Sequence, residues 1–578
     1  MIRWLFYLSL PVHCCLTLSS ALAAEAPLIT IVGADDELRN NILSHLRIGA
    51  ENCAAGMPRL LRLQTQVRSN TERAAQALGY YRSSSTMEFG EEDGCWSLRI
   101  NIEPGEPVLI ARADIAIEGE APAVFDDLLD SDLLLPGSQL NHGNYERVKS
   151  NLSATAVENG FFSARFIRSV LDIDLQNNTA TIDLLFDPGP RFFIGEISLS
   201  NESMLANDFV MNLFQLKQGD PYSNTELIQL RSNLDRSQYF NQVSISPQLS
   251  RTENLSVPLL IELQARPRHE YSSGIGFTTD TGPRIRLGYE NRYQTRQGHR
   301  LQADISISAL RQQSNVNYTM PLSRNPLRES IQYSAGYIRE DNDTFESERF
   351  KLETAYRNET DTGWLRNTFI NYQRDNYLIN LQADTSFLSI LGFNISKTSA
   401  DNVLNPSRGW KIFAQLSGAS DSLLSDTSFI QSNLSGKYIH SLNSISRVLF
   451  RFDSGFTWID EQTELPVSLR FLSGGDQSLR GYKYNSLGPT DANGLVIGGK
   501  HLLNGSVEFD FNIRPNWRLA TFYDSGNAFN EFNNIDWVHS IGAGLRWLSP
   551  IGPIRFDLAH ALNKEEGFRI HITMGPDL

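Results

Sequence analysis

From about Tyr271 onward the chain alternates apolar and polar residues with a period of two and does not return to helical spacing. Leu301, Ala303, Ile305, Ile307 and Ala309 interleave with Gln302, Asp304, Ser306 and Ser308. Ile331, Tyr333, Ala335 and Tyr337 follow the same rule, as do Val448, Phe450, Phe452, Phe456 and Trp458. Val507, Phe509, Phe511 and Ile513 alternate with Ser506, Glu508, Asp510 and Asn512. Successive side chains of a strand point to opposite faces, so each segment has one apolar and one strongly polar face. A water-soluble sandwich also alternates. Here, however, the pattern persists over roughly 300 residues with aromatics near strand ends, as in a barrel whose apolar face meets lipid and whose polar face meets a wet lumen. At about 19 residues per strand and connection the span holds roughly 16 strands, an even number. A barrel of that size keeps a lumen, whereas about eight strands would be filled by their own side chains.

The N-terminus predicts export. Arg3 precedes an apolar stretch from Trp4 to Leu18, followed by Ser19-Ser20-Ala21-Leu22-Ala23-Ala24. This reads as a signal peptide over residues 1–23, cleaved after Ala23. Pro11 and the shortness of the run, below the roughly 20 residues needed to span a bilayer, disfavour an anchor helix. Cys14 and Cys15 follow Pro11-Val12-His13, which is not a lipid-attachment box, and leave with the signal. Cys53 and Cys95 remain, and in an oxidising compartment they can pair as a structural staple. The net charge of -15 argues against a nucleic-acid surface, which needs clustered Lys and Arg.

The first half carries an internal repeat. Gly79-Tyr80-Tyr81, Gly160-Phe161-Phe162 and Gln238-Tyr239-Phe240 each follow a helical pattern. Tyr145, Val148 and Leu152 form one apolar stripe before Gly160, where glycine suits a left-handed helix end. Ser223-Asn224-Thr225-Glu226 is a capping box opening a helix through Leu227, Leu230 and Leu234. A β-rich segment follows each aromatic pair: Trp96 to Ile102, Thr179 to Phe186 and Val257 to Leu263. Pro104-Gly105 and Pro188-Gly189 then lead into strands at Leu109 to Ile117 and Phe192 to Leu199. The unit reads strand, helix, helix, strand, strand, and occurs over 24–107, 108–189 and 190–267, ahead of a barrel over 268–578.

A long loop interrupts the alternation at Gly474-Gly475-Asp476-Gln477-Ser478-Leu479-Arg480-Gly481-Tyr482 and reaches about Gly499. Glu508 lies on the polar face of the next strand, and Phe522, Asp524 and Gly526 share a face of the one after. An arginine folded into the lumen would face two carboxylates, to which its planar fork can make bidentate, charge-assisted bonds. Removing that charge from water has a cost, so a conformational role is the better-supported expectation.

Several strings together carry a family resemblance. They are Gly276 through Thr279-Asp280-Thr281-Gly282-Pro283; Asn402 to Asn405-Pro406-Ser407-Arg408-Gly409-Trp410; Gly474 to Tyr484; Gly505 to Glu508; Phe522 to Gly526; and Gly542 to Pro553. With them the chain resembles the outer-membrane barrel insertases built on polypeptide-transport-associated (POTRA) domains. Within these it is most similar to the TamA-like outer-membrane subunits of translocation and assembly modules. The resemblance covers essentially the whole mature chain. It implies a 16-stranded transmembrane antiparallel β-barrel in the bacterial outer membrane, preceded by three α+β (β-α-α-β-β) POTRA domains in the periplasm. It implies an inward-folded loop carried by Arg480, Gly481 and Tyr482, with Arg480 meeting the strands of Glu508 and Asp524. Members assemble or export outer-membrane proteins, autotransporters especially, without nucleotide, metal or cofactor. The implied partners are those clients, outer-membrane lipid, and a TamB-like periplasm-spanning protein anchored in the inner membrane, engaged through the first POTRA domain or the barrel seam. The ending Gly575-Pro576-Asp577-Leu578 lacks the final aromatic of ordinary barrels and is usual in this branch.

A membrane barrel must pair its first and last strands, because an open edge in lipid is costly. Yet the first strand carries Gly274 and Gly276, and the last ends at Gly575-Pro576. Glycine pairs weakly and proline gives no donor, so a lateral seam there could open and template a client strand. These residues could equally just end their strands. Rival readings are a passive channel, a two-partner secretion transporter and phospholipid transport beside the TamB-like partner. The first leaves three repeats unexplained, and the second expects two repeats and a plug helix. An enzyme is not expected: there is no G-x-S-x-G elbow, no G-x-x-x-x-G-K and no histidine cluster with metal spacing.

Overall fold

The computed structural model describes residues 27–575 apart from positions 54, 93, 120–121, 130–131, 202, 215, 381, 462–463, 550–551 and 564–566. The signal segment 1–23 and Pro576 lie outside the described residues. The chain forms two compact units. One comprises the chain up to Gly195 with Gln218–Thr225 and Leu249–Val257, and the other the remainder up to the C-terminus.

Three small modules precede the barrel. The first contains β1 (Leu28–Val32), α1 (Asp36–His45), α2 (Met57–Ala77), β2 (Ser84–Glu92) and β3 (Cys95–Glu103). The second contains β4 (Leu109–Ile117), the short α3 (Asp126–Leu129), α4 (His142–Glu158), β5 (Arg165–Asp174) and β6 (Thr179–Asp187). The third contains β7 (Phe193–Asn201), the short α5 (Asn207–Met211), α6 (Asn224–Arg236), β8 (Phe240–Pro247) and β9 (Ser256–Ala265). Each makes a sheet with its last strand in the middle, in the orders β1-β3-β2, β4-β6-β5 and β7-β9-β8. The units are therefore β-α-α-β-β-like, with the first helix of the second and third modules cut to about a turn. The helix-to-strand joint is the same in all three: Gly79 (φ 86°), Gly160 (φ 83°) and Gln238 (φ 63°) are left-handed. On α4 the buried residues Tyr145, Val148, Leu152 and Ala156 lie at helical spacing against the sheet. A disulfide joins Cys53 to Cys95 with the Cα atoms 4.6 Å apart, tying the segment before α2 to the start of β3.

From β10 (His269–Thr278) to β25 (Phe568–Met574) sixteen antiparallel strands close into a barrel. Its polarity is inverted relative to a water-soluble core. On β12 (Arg300–Ser308) the outward Ile307 is 54% exposed and the inward Ser306 only 7%. Apolar residues cover the outside, and carboxylates such as Asp510 and Asp524 are fully buried within. Aromatic pairs stand at the strand ends nearer the third module, with Trp364 and Trp410 ring centres 5.8 Å apart and Trp517 and Trp547 5.5 Å apart. Such belts fit the interfaces of a bilayer. The third module meets the barrel within the second unit: the Tyr239 hydroxyl donates to the Gly298 carbonyl at 2.6 Å, and Arg300 lies over the Tyr239 ring.

Candidate functional site

The loop that carries the Arg-Gly-Tyr motif spans residues 459–500, between β20 (Ser446–Trp458) and β21 (His501–Arg514). It starts earlier than the Gly474 expected from the sequence. Its early part forms a 3-10 turn at Val467–Leu469, entered through Pro466. Leu465 is buried against Phe369, Leu388 and Ile390, apolar residues that point into the lumen.

Arg480 is 4% exposed and reaches the inner wall. Its Nε and Nη2 donate to the two carboxylate oxygens of Asp524, on β22 (Trp517–Phe529), at 2.9 and 2.8 Å. This is the bidentate fork that a guanidinium makes with a carboxylate. Its Nη1 donates to Glu508 on β21 at 2.8 Å, its Nη2 to the Ser506 hydroxyl at 3.1 Å, and its backbone N–H to Asp524 at 3.1 Å. The guanidinium carbon sits 3.3 Å over the centre of the Phe522 ring, adding a cation–π contact. Burial disfavours the charge, but Asp524, Glu508 and Asp557 outweigh it and hold Arg480 protonated more firmly than a free arginine.

Gly481 passes so close to the wall that a Cβ there would lie 2.7 Å from Cβ of Ser540 and 2.9 Å from the Ala561 nitrogen. Only glycine fits. Tyr482 is fully buried with Leu479, Leu487, Val538 and Ala561, and its hydroxyl donates to the His539 carbonyl at 3.1 Å. Gly526 faces Leu503 and Asn504 on β21, where a Cβ would collide with the Leu503 carbonyl. Arg480, Glu508, Phe522 and Asp524 thus meet at one point, while Gly481, Tyr482 and Gly526 shape its surroundings.

Sequence reading missed half of this network. Asp557, on β24 (Gly552–Ala561), accepts from Arg480 at 3.3 Å and from Arg546, on β23 (Val538–Ser549), at 2.6 Å. Arg546 also donates to Glu508 at 2.9 Å. Strand parity offered a signal, since Asp557 alternates with Phe556 and Leu558, and Arg546 lies in a string already carrying the resemblance. Parity names a face, however, and not a partner across the lumen.

The barrel closes weakly. Among the described residues Thr278 opposite Thr573 is the single aligned pair between β10 and β25. By contrast β10 pairs along its whole length with β11 (Gly282–Asn291). Gly274 and Gly276 lie opposite Arg286 and Arg284 of β11, and among the described residues neither is aligned with a residue of β25. Gly575 lies just beyond β25. The seam lies between the first and last strands, as expected, and Gly274 and Gly276 fall outside its one aligned pair among the described residues.

Sixteen antiparallel strands, N-terminal β-α-α-β-β-like modules and a loop clasped inside the lumen define a POTRA-bearing membrane barrel. Comparison with known proteins agrees. The Omp85 superfamily domain matches residues 269–577, the POTRA domain called TamA domain 1 matches 28–104, and the POTRA domain described as surface antigen variable number repeat matches 192–266. The chain belongs to the Omp85 superfamily. It is similar to the outer membrane protein assembly factor BamA of Nitratidesulfovibrio vulgaris, at 22% identity over 65% of this chain and 49% of that protein. It is also similar to BamA of Neisseria meningitidis, at 22% identity over 78% of this chain and 64% of that protein. The chain thus spans about half to two thirds of the length of these relatives. In fold it resembles the crystal structure of Haemophilus ducreyi BamA lacking POTRA domains 1–3, with a TM-score of 0.66 at 18% identity, over 81% of this chain and 99% of that one.

Proposed function

We propose that the chain is an outer-membrane assembly and translocation factor of the TamA type, its three modules all POTRA domains reaching into the periplasm. Its clients are β-barrel and autotransporter proteins, and a TamB-like protein anchored in the inner membrane delivers them through the first POTRA domain or the seam. No covalent step or cofactor enters this reading. The work is strand templating: a client strand adds to an edge whose N–H and C=O groups lack a full ladder. One observation carries the reading: among the described residues Thr278 and Thr573 form the single aligned pair of the seam, in an otherwise continuously paired barrel. A strand edge in lipid is costly, so a seam this short is a place to open. The matched BamA proteins are named as assembly factors, which supports the same direction.

The test is a reversible lock. Facing residues of an antiparallel pair have Cα atoms about 4.5–5.5 Å apart, within disulfide range. The Thr278→Cys/Thr573→Cys protein is expected to insert a client barrel into vesicles when reduced and to stop when oxidised. Full activity while oxidised would exclude a lateral gate. A second reading, phospholipid transport beside the same partner, draws on the same open edge against lipid. It predicts that the oxidised lock stops lipid transfer between vesicles. A passive channel predicts unchanged client assembly and altered conductance when Arg480→Ala is introduced.

A further inference from the structure

Among the described residues one aligned pair joins β10 to β25, and their ends also meet through side chains and the lumen loop. Asp280 sits in the turn from β10 to β11, and its side chain is 9% exposed. Its Oδ2 accepts the backbone N–H of Asp476 in the loop at 2.6 Å, and its Oδ1 faces His571 Nδ1 of β25 at 3.6 Å. Next to it, the Thr279 hydroxyl lies 3.3 Å from the same Nδ1 and accepts from the backbone N–H of Ile572 at 3.4 Å. The other ring nitrogen, Nε2 of His571, is 2.5 Å from the Arg480 carbonyl. A carbonyl only accepts, so Nε2 carries the hydrogen. Nδ1 then either accepts from Thr279 or, when protonated, pairs with Asp280.

We propose that Asp280 and His571 are positioning residues that fasten first strand, last strand and lumen loop to one another, so that loop release and seam opening are one event. The inference rests on the seam reading above and adds what governs it. Arg480 is the shared element: its side chain and N–H hold Asp524 and Glu508, while its carbonyl takes the bond from β25. Withdrawing the loop strips His571 of its acceptor and Asp280 of its donor in the same step. Parting the strands removes His571 from Asp280 and from the loop. Either movement alone would leave buried polar groups without partners, which is costly. The two movements therefore favour each other.

The test uses the full chain in phospholipid vesicles. Loop motion is read from a spin label at Gln477→Cys, an exposed loop position. Seam contact is read in separate samples from the rate of disulfide formation in Thr278→Cys/Thr573→Cys. Adding Asp280→Ala or His571→Ala is expected to mobilise the label and to slow crosslinking about tenfold, within the roughly 5–150-fold range of coupled sites. The double variant should go no further than either single one. His571→Gln, whose amide can still donate to the Arg480 carbonyl, should retain most of both signals. Thr279→Val leaves the charges intact and serves if an Asp280 variant fails to fold, with smaller shifts in the same direction. A label that loosens without a slower seam, or a slower seam without a looser label, would overturn the coupling. So would no change in either. If the oxidised lock leaves client assembly untouched while the coupling holds, the gate reading fails and this one stands; the reverse result separates them the other way.

Discussion

The wall at β15 (Phe345–Glu359) and β16 (Leu365–Ile379) and the seam at β10 and β25 are both antiparallel contacts in one barrel, held by different means. All fifteen residues of β15 face partners on β16, from Phe345 opposite Ile379 to Glu359 opposite Leu365. Among the described residues the seam has one aligned pair and a knot of side chains around Asp280, His571 and the loop. A backbone ladder depends little on which residues form it and is lost as a block. A side-chain knot depends on a few named groups and can be undone without unravelling the barrel. The lumen arginine stands beside the weak contact: Arg480 joins the loop to β21, β22 and β24, while its carbonyl receives β25.

The strongest way to break this comparison is Arg480→Ala. It leaves Asp524, Glu508 and Asp557 with less compensation, and breaking a buried pair in this way costs about 3–5 kcal/mol. Lower resistance to denaturant, read by heat-modifiable gel migration, should come with faster hydrogen exchange in β22 and β24 and little change in β15 and β16. Next is a proline pair. Thr354→Pro in β15 breaks a strand paired along both edges and is expected to lower stability strongly, whereas Thr278→Pro at the seam should lower it far less. Equal losses at both sites would show the seam to be as fully paired as the wall. A smaller effect is expected from Gly481→Ala. Its Cβ would push against Ser540 and Ala561, an overpacking of about 1–3 kcal/mol, read as increased protease cleavage in 459–500.

The subtlest test is pH. Burial and the neighbouring Asp280 carboxylate push Asp476 up to about 6, with His571 acting the other way. A carboxyl raised in the folded state contributes stability that is full below its ordinary value and is lost as pH rises through the folded one. Loop retention should therefore weaken between about pH 4 and 6, and Asp476→Asn should flatten that dependence. The Gln477 label reads it directly. A loop that tightens as pH rises over this range would show that burial and Asp280 do not raise the Asp476 carboxyl.

Much of the architecture is legible in residue order. Alternation from Leu301 to Ala309 and from Ser506 to Ile513 announces strands with opposed faces, and the roughly 16 strands expected match the closed barrel. The left-handed joint before Tyr80, Phe161 and Tyr239 is visible as a repeated Gly or Gln and aromatic pattern. Parity put Glu508 on the polar face and Asp524 on one face with Phe522 and Gly526, and both carboxylates meet Arg480. The seam was read between the first and last strands, and there a single aligned pair joins them among the described residues, with Gly274 and Gly276 outside it. The loop was read from its glycines at Gly474, whereas β20 already ends at Trp458.

Sequence by itself determined the local periods: where strands alternate, where helices end, and which side chains each strand turns inward. These follow from backbone geometry and near neighbours. Only the tertiary structure decided that Asp557 and Arg546 complete the arginine network, that Asp280 meets His571 nearly 300 residues away, and that Thr278 aligns with Thr573. Those contacts depend on how the barrel closes, and closure brings together strands whose separation along the chain leaves no periodic trace.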